Sequence, residues 1–453
     1  MTGFPNNFIW GVATASYQIE GAVAEGGRRP SVWDRFCQLP GKINNGDSGV
    51  VGPDHYHRWR DDVDLMAKLE VNAYRFSLAW PRIIPTGVGP INPLGIAFYD
   101  QLIDKLLEGG IKPWVTLFHW DYPNDLFNKG GWLHRDSSDW FAEYAEQAVK
   151  HFGDRIKHWI TINEPNCIVH YGHQTGIHAP GLHLELQDVL TVAHNILLAH
   201  GKAVRALRSS TSPDTQIGIA LNGLLSLPDT TNPKDVAAAQ RATWAVDELN
   251  TWNNSWWSDP LFRGHYPEDG WRLMAAVRPD IKPGDMEIIS QPLDFFGVNI
   301  YTADRVRATA NSWEKLPPAV GCARTAMDWT IEPEALYWGP KFIYERYHLP
   351  LVILENGLAN NDWIHSEGKV PDPQRIDFLR RYLGQLSRAI QTGVEVEGYF
   401  QWSLLDNFEW SEGFSKRFGL VYLDYATGQR IPKDSFFWYQ NIIASNGKSL
   451  KVV

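Results

Sequence analysis

Two glutamates have the surroundings of reactive groups. Glu164 lies in Thr161-Ile162-Asn163-Glu164-Pro165, and Glu355 in Val352-Ile353-Leu354-Glu355-Asn356-Gly357. Each closes a short apolar run that reads as a β-strand. Each is also followed at once by backbone punctuation: Pro165 lacks an amide donor, and Gly357 permits a turn with positive φ. Two carboxyl groups brought face to face have a defined chemistry. One, held protonated, donates to a leaving oxygen, while the other, ionised, attacks the anomeric carbon of a glycoside. A strand-end glutamate also has structural uses, pairing with arginine or capping a helix, and the two motifs alone leave both readings open.

The composition around them is aromatic, with 21 Trp, 17 Tyr and 20 Phe. Several rings adjoin polar side chains, as in Phe118-His119-Trp120 and Asn407-Phe408-Glu409-Trp410. Ring faces cover C–H surfaces while the polar atoms take hydroxyls, a mixture suited to a polyhydroxylated ligand; the same rings can equally serve as core. Arg75, inside the apolar run Tyr74-Arg75-Phe76-Ser77, needs a buried carboxylate partner. Pairing with Glu355 would keep that carboxylate ionised; a structural ion pair with another acid is the alternative.

The elements that must position these groups alternate between strand and helix patterns. Strands are expected at 8–13, 73–78, 113–118 (with Pro113 first), 156–162, 216–221, 294–299, 351–354 and 396–402. Helical stripes run near 139–152 (Trp140, Phe141, Tyr144, Ala145, Ala148), over 188–207, and over 375–391 after Pro371-Asp372-Pro373. Eight βα units close most naturally into a (β/α)8 TIM barrel, an α/β fold. The stretches 14–58, 163–187 and 301–345 would be elaborated βα loops. An open doubly wound sheet is the competitor, but no GxGxxG or GxxxxGK follows any strand. With no linker or low-complexity tract in its 453 residues, the chain reads as one catalytic domain, 1–453.

A formal net charge of −10 gives no long-range attraction for nucleic acid or an anionic membrane. Three cysteines (Cys37, Cys167, Cys322) without CxxC spacing argue against a disulfide framework and fit a reducing compartment. The opening MTGFPNNFIWG lacks the pattern of a secretory signal, so a cytoplasmic location is expected. His55 and His57 form an HxH pair, and His170, His173, His178 and His183 cluster in sequence, yet none matches a zinc signature. No metal and no cofactor are expected.

Ordered motifs then point to a family. Asn163-Glu164-Pro165 and Glu355-Asn356-Gly357 resemble those of family 1 glycoside hydrolases, the β-glucosidase family. So do Phe8-Ile9-Trp10-Gly11 through Gly21-Ala22, Asp54-His55-Tyr56-His57-Arg58, Leu117-Phe118-His119-Trp120-Asp121 and His178-Ala179-Pro180-Gly181. Trp402 through Trp410 and Lys416-Arg417-Phe418-Gly419 extend the similarity over essentially the whole chain.

The resemblance implies a retaining β-glycosidase, most simply a β-glucosidase with β-fucosidase or β-galactosidase side activity and a place in cellulose degradation. Its partners would be small β-glucosides or cello-oligosaccharides. It implies Glu164 as acid/base and Glu355 as nucleophile, supported by Arg75, Tyr301 and Asn299. It further implies that Gln18, His119, Trp120, Asn163, Trp402, Glu409, Trp410 and Phe418 bind the sugar, with Asn163 on the 2-hydroxyl and Glu409 accepting from two hydroxyls. Members acting on 6-phosphorylated sugars carry serine at the position of Glu409 and tyrosine at that of Phe418; a carboxylate would repel the phosphate. Alternatives are a transglycosylating β-glycosidase and a sugar-binding module that has lost catalysis.

Three departures from the family pattern matter. Leu354 replaces a usual threonine and is expected to change how Glu355 is packed or hydrogen-bonded. Asn166 stands where Trp is common and is expected to make the leaving-group entrance more polar, with Cys167 beside it. Residues 320–330 are expected to border that side.

Overall fold

The computed structural model describes residues 3–50 and 52–450. Eight parallel strands form: β1 (Ile9–Ala13), β2 (Ala73–Ser77), β3 (Lys112–Phe118), β4 (His158–Asn163), β5 (Gln216–Asn222), β6 (Phe296–Asn299), β7 (Leu351–Asn356) and β8 (Val396–Trp402). Each pairs with its sequence neighbours, and β1 also pairs with β8, Ala13 opposite Trp402, so the sheet closes into a barrel with no free edge. Every expected strand is present. Ends differ by one to two residues, so Pro113 sits second in β3 and β5 runs one residue further, to Asn222.

The main outer helices are α1 (His55–Leu69), α2 (Pro93–Glu108), α3 (Ser137–Phe152), α4 (Leu186–Ser210), α5 (Ala335–Tyr347), α6 (Pro373–Gln391) and α7 (Asp434–Ala444). Their apolar stripes are what the strands bury. On α3, Phe141, Tyr144, Ala145, Ala148, Val149 and Phe152 are all buried, while Trp140 sits at the margin. The start of α6 follows from Pro373 at its first turn, where a missing amide costs nothing. The long loop after β6 holds more order than expected. Asp304–Ala308 and Trp313–Leu316 pair as a hairpin, which joins Ser226–Pro228 in a three-stranded sheet beside the barrel mouth. Among the described residues, no helix is long and apolar enough to cross a membrane.

The barrel interior is a second core, distinct from the layer between strands and helices. Trp114, Ile160, Phe295, Val352, Leu354 and Phe400 fill it. Bulky rings fit because glycine faces them: a Cβ on Gly11 would lie 2.3 Å from the Phe400 ring, and one on Gly218 2.4 Å from Phe295. This plug gives the functional end a solid floor.

A buried charge network ties the last two loops to the outer helices. Lys433 Nζ donates to Asp362 (2.6 Å) and Asp406 (2.8 Å), and Arg375 of α6 donates to Asp362 (2.6 Å) and to Asp372. Arg417 also reaches Asp406, at 2.7 Å. Burial and the neighbouring Arg375 push the Lys433 ammonium below its ordinary range, against the pull of the two aspartates. Removing one cation strands carboxylates that water cannot reach. Lys433→Met is expected to lower the unfolding free energy by about 3–5 kcal/mol, read from urea denaturation.

Candidate active site

Simple pleating would send Glu355 to the wrong side. Val352 and Leu354 point into the barrel and Ile353 points out to the helices, so the next side chain in strict alternation would also face out. The register of β7 slips after Ile353 against both neighbouring strands, and the bulge turns Glu355 into the mouth. Strand β4 uses the same device. Ile160 faces in, Thr161 faces out and bonds His200 of α4 (2.6 Å), and the register then slips so that Asn163 faces in. Glu164 follows in a left-handed conformation, φ 45°, and Pro165 opens the short helix Pro165–Val169. That φ is rare for a side chain other than glycine, and the backbone bond from Glu164 N to Ala220 O (2.8 Å) helps hold it.

One guanidinium organises the floor of the site. Arg75 donates through Nη1 to Glu355 Oε1 (2.5 Å) and Leu354 O (3.2 Å). It also donates through Nη2 to Asn163 Oδ1 (2.7 Å) and through Nε to Thr116 (3.2 Å). Tyr301 donates to the other oxygen of Glu355 at 2.7 Å. Asn299 donates to Glu164 Oε1 (2.8 Å) and Asn163 Oδ1 (3.1 Å), and its amide also stabilises the charged form of Glu355. Asn163 is thereby fixed with its carbonyl oxygen on Arg75 and its amide nitrogen 3.1 Å from His119 Nε2.

Both carboxyls are pushed up, for unequal reasons. Burial and the charge of Glu355 raise Glu164 to about 7, with Asn299 and Cys167 pulling the other way. Burial also raises Glu355, but against the direct opposition of Arg75, Tyr301 and Asn299. Only Glu355 touches a cation, so it is the one stabilised as an anion, and Glu164 is the one that keeps a proton near neutrality.

The two groups open into a cavity of about 700 Å³ at the carboxyl ends of the strands. His119, Trp120, Trp402, Glu409, Trp410 and Phe418 line it, as do Asn163 and Tyr301. Trp402 and Trp410 each lie nearly parallel to His119, at 5.9 Å, and Trp120 tilts over Trp410 at 4.4 Å. Burial and the charge of Arg75 keep His119 neutral. Gln18, Arg75 and Asn299 lie beneath the lining. Gln18 Nε2 is held by Asn407 (3.1 Å) and Phe408 O (2.8 Å). Gln18 Oε1, His119 Nδ1 and Glu409 Oε2 are buried without a protein partner, which suits a ligand that brings hydroxyls. Burial and the charges of Glu355 and Glu164 push Glu409 up to about 8.

Residues that the sequence reading left out also line the cavity: Asn222, Tyr171 and Trp252, together with His178, which entered it only in a motif and in the histidine cluster. Asn222 is a strand-end residue and would have been found had β5 been carried one position further. Asn166 does not line the entrance. The helix turns it back into the packing behind β5, beside Leu221, Trp244 and Trp257, and it is Cys167 that faces the cavity. Leu354 likewise fills the barrel interior, close over Gly297, so its effect on Glu355 is through packing from below. From the 320–330 stretch, Arg324, Asp328, Trp329 and Thr330 border the mouth, as expected.

His55 and His57 diverge, the first to buried Asp62 (2.8 Å) and the second to Asp54 and Glu25 at the surface. Among the described residues, no group of three or more His, Cys, Asp or Glu side chains is arranged to hold a metal ion.

A closed eight-stranded barrel with paired glutamates at the ends of its fourth and seventh strands defines a class of glycosidic-bond-cleaving proteins, and comparison with known proteins narrows it. The model of glycosyl hydrolase family 1 matches residues 1–448, and the chain belongs to that family. It is 45% identical to the 1,4-β-D-glucan glucohydrolase of Thermotoga neapolitana, over 99% of both chains. It is 40% identical to the bifunctional β-D-glucosidase/β-D-fucosidase of Bifidobacterium breve, over 98% of each. Among solved structures, the β-glucosidase of Thermotoga maritima in complex with deoxynojirimycin superposes with a TM-score of 0.90 at 43% identity, covering 99% of this chain and 100% of that one.

The charge coupling across the site has a direct test. In Glu355→Gln the repulsion raising Glu164 is gone, so the Glu164 carboxyl should titrate clearly below about 7, measured by carbon-detected NMR of labelled glutamate. An unchanged value would mean that burial alone sets it.

Proposed function

We propose that this protein is a retaining β-glucosidase, releasing terminal non-reducing β-D-glucosyl residues by double displacement, with Glu164 as acid/base and Glu355 as nucleophile. The observation that carries the reading is the asymmetry of the pair: Arg75 and Tyr301 bond Glu355, while Glu164 bonds the neutral amide of Asn299. Retention predicts a gap of about 5–5.5 Å between the two carboxyls, whereas inversion needs about 6.5–9.5 Å to admit a water.

Glu355 attacks C1 as the proton of Glu164 passes to the departing glycosidic oxygen, giving an α-linked glucosyl ester and a free alcohol. Forming the ester removes the Glu355 charge that had raised Glu164, so the Glu164 carboxylate is released to act as base. It takes a proton from water, whose oxygen attacks C1, expels Glu355 and restores the β configuration. Asn163, fixed by Arg75 and Asn299, meets the 2-hydroxyl. His119, Gln18 and Glu409 present the unpartnered polar atoms to the remaining hydroxyls, over Trp402 and beside Trp120, Trp410 and Phe418. Glu409 Oε2 has no protein partner and is free to meet a sugar-edge hydroxyl in either orientation, which, with the bifunctional relative, supports β-fucosidase or β-galactosidase side activity. Family membership and the relatives' activities support action on β-glucosides or cello-oligosaccharides. The three free cysteines suit a single catalytic domain working in the cytoplasm.

Activity should fall as pH rises through about 7, where Glu164 loses its proton. Glu164→Ala should lower kcat/KM about 10²–10⁴-fold for phenyl β-glucoside and abolish that alkaline limb, with a much smaller loss for the 2,4-dinitrophenyl glucoside, whose leaving group needs no proton. NMR of the first-formed sugar should show β-glucose; α-glucose would overturn retention.

A further inference from the structure

We propose that Asp121 is a positioning residue for the sugar: by accepting from Ser16 it sets the loop that carries His119 and Trp120 against the one that carries Gln18. This rests on the β-glucosidase reading, because the hydroxyls that His119 and Gln18 would meet are those of a glucosyl ring.

Three strand ends are joined by side-chain oxygens behind the cavity wall. Ser77, the last residue of β2, accepts from the Ser16 amide (2.8 Å) and donates to the Ser16 hydroxyl (3.0 Å). Ser16 Oγ in turn donates to Asp121 Oδ2 at 2.8 Å, and all three side chains are buried. Each sits close in sequence to a side chain that the site uses. Gln18 follows Ser16 by two residues, Arg75 precedes Ser77 by two, and His119 and Trp120 run directly into Asp121.

The turn that this link fixes is a demanding one. Trp120 has a left-handed backbone, φ 79°, which is rare for a side chain other than glycine. Its indole donates to Asn163 O (2.9 Å), and Tyr122 N donates to Trp120 O (3.0 Å). Those bonds hold the ring and close the turn, while Asp121 ties the turn to the loop after β1. Gln18 Oε1 and His119 Nδ1, both buried without a protein partner, belong to the two loops so joined. The bond from Ser16 to Asp121 therefore sets the spacing of two atoms that await hydroxyls.

An ion pair does not account for Asp121. Asp362 and Asp406, which serve the fold, are each bonded by two cations. Arg28, whose charge acts on Asp121, gives its donors instead to Asp34 (2.9 Å), Val23 O (2.9 Å) and Arg29 O (3.3 Å). Asp121 Oδ1 is left buried without a protein partner. Burial, aided by the charge of Glu20, pushes the Asp121 carboxyl up to about 7 against the pull of Ser16 and Arg28. A carboxyl so placed serves as an acceptor for one hydroxyl.

The test compares 2,4-dinitrophenyl β-glucoside with its 3-, 4- and 6-deoxy analogues. In Ser16→Ala and Asp121→Leu, kcat/KM for the glucoside should fall about five- to tenfold, the loss of one aligned hydrogen bond. On at least one deoxy analogue, lacking the hydroxyl that the displaced atoms would meet, the fall should be no more than about twofold. Asp121→Asn keeps an oxygen for Ser16 and should stay within about threefold of the parent on every substrate. Equal losses on all four substrates in Ser16→Ala, no loss in either Ser16→Ala or Asp121→Leu, or as large a loss in Asp121→Asn as in Asp121→Leu would overturn the positioning role. Failure of the parent protein to hydrolyse the glucoside would instead overturn the β-glucosidase reading.

Discussion

The buried guanidinium of Arg75 is the constraint on which the site depends. A cation within a barrel interior is tolerable only when its donors are met, and the four acceptors around it come from three other strands: Thr116 on β3, Asn163 on β4, and Leu354 and Glu355 on β7. The same contacts that satisfy Arg75 hold Glu355 as the charged partner and fix the amide of Asn163. Stability and chemistry therefore draw on one set of hydrogen bonds.

The barrel supplies this arrangement by departing from its own regularity. Regular pleating builds the plug of Phe295, Phe400 and Trp114 and seals the lower end. At the upper end, bulges in β4 and β7 and the left-handed backbone at Glu164 turn side chains inward that the pleat would have sent out. The loops beyond are tied down by charges buried beneath them: Asp362 and Asp406 bind Arg375 of α6 and Lys433, the residue preceding α7.

Most of the fold was legible in the sequence because alternation and helical stripes report burial directly. Glu164 and Glu355 were legible because Pro165 and Gly357 mark where each strand stops. What sequence hid was direction. A five-residue helix carries both Asn166 and Cys167, and nothing in their order tells which faces the cavity. Leu354 reads as adjacent to Glu355, yet regular pleating places it in the floor while the bulge turns Glu355 to the mouth. Tyr171 and Trp252 meet only because a π turn, His170–Gln174, and a loop pinned by Asn254 converge, and such a contact leaves no local pattern.

The seam between β1 and β8 joins the two ends of the chain. Gln18, just after β1, is held by Asn407 and Phe408 after β8, the Trp10 indole donates to Asn446, and Tyr439 of α7 closes on Gly11 O. During synthesis the first strand leaves the ribosome long before its partner exists, and one of its edges must wait unpaired while nearly the whole barrel is made. The rim of the cavity is then among the last parts to assemble. A partly translated chain can hold both glutamates and still lack the walls that would let them meet a substrate.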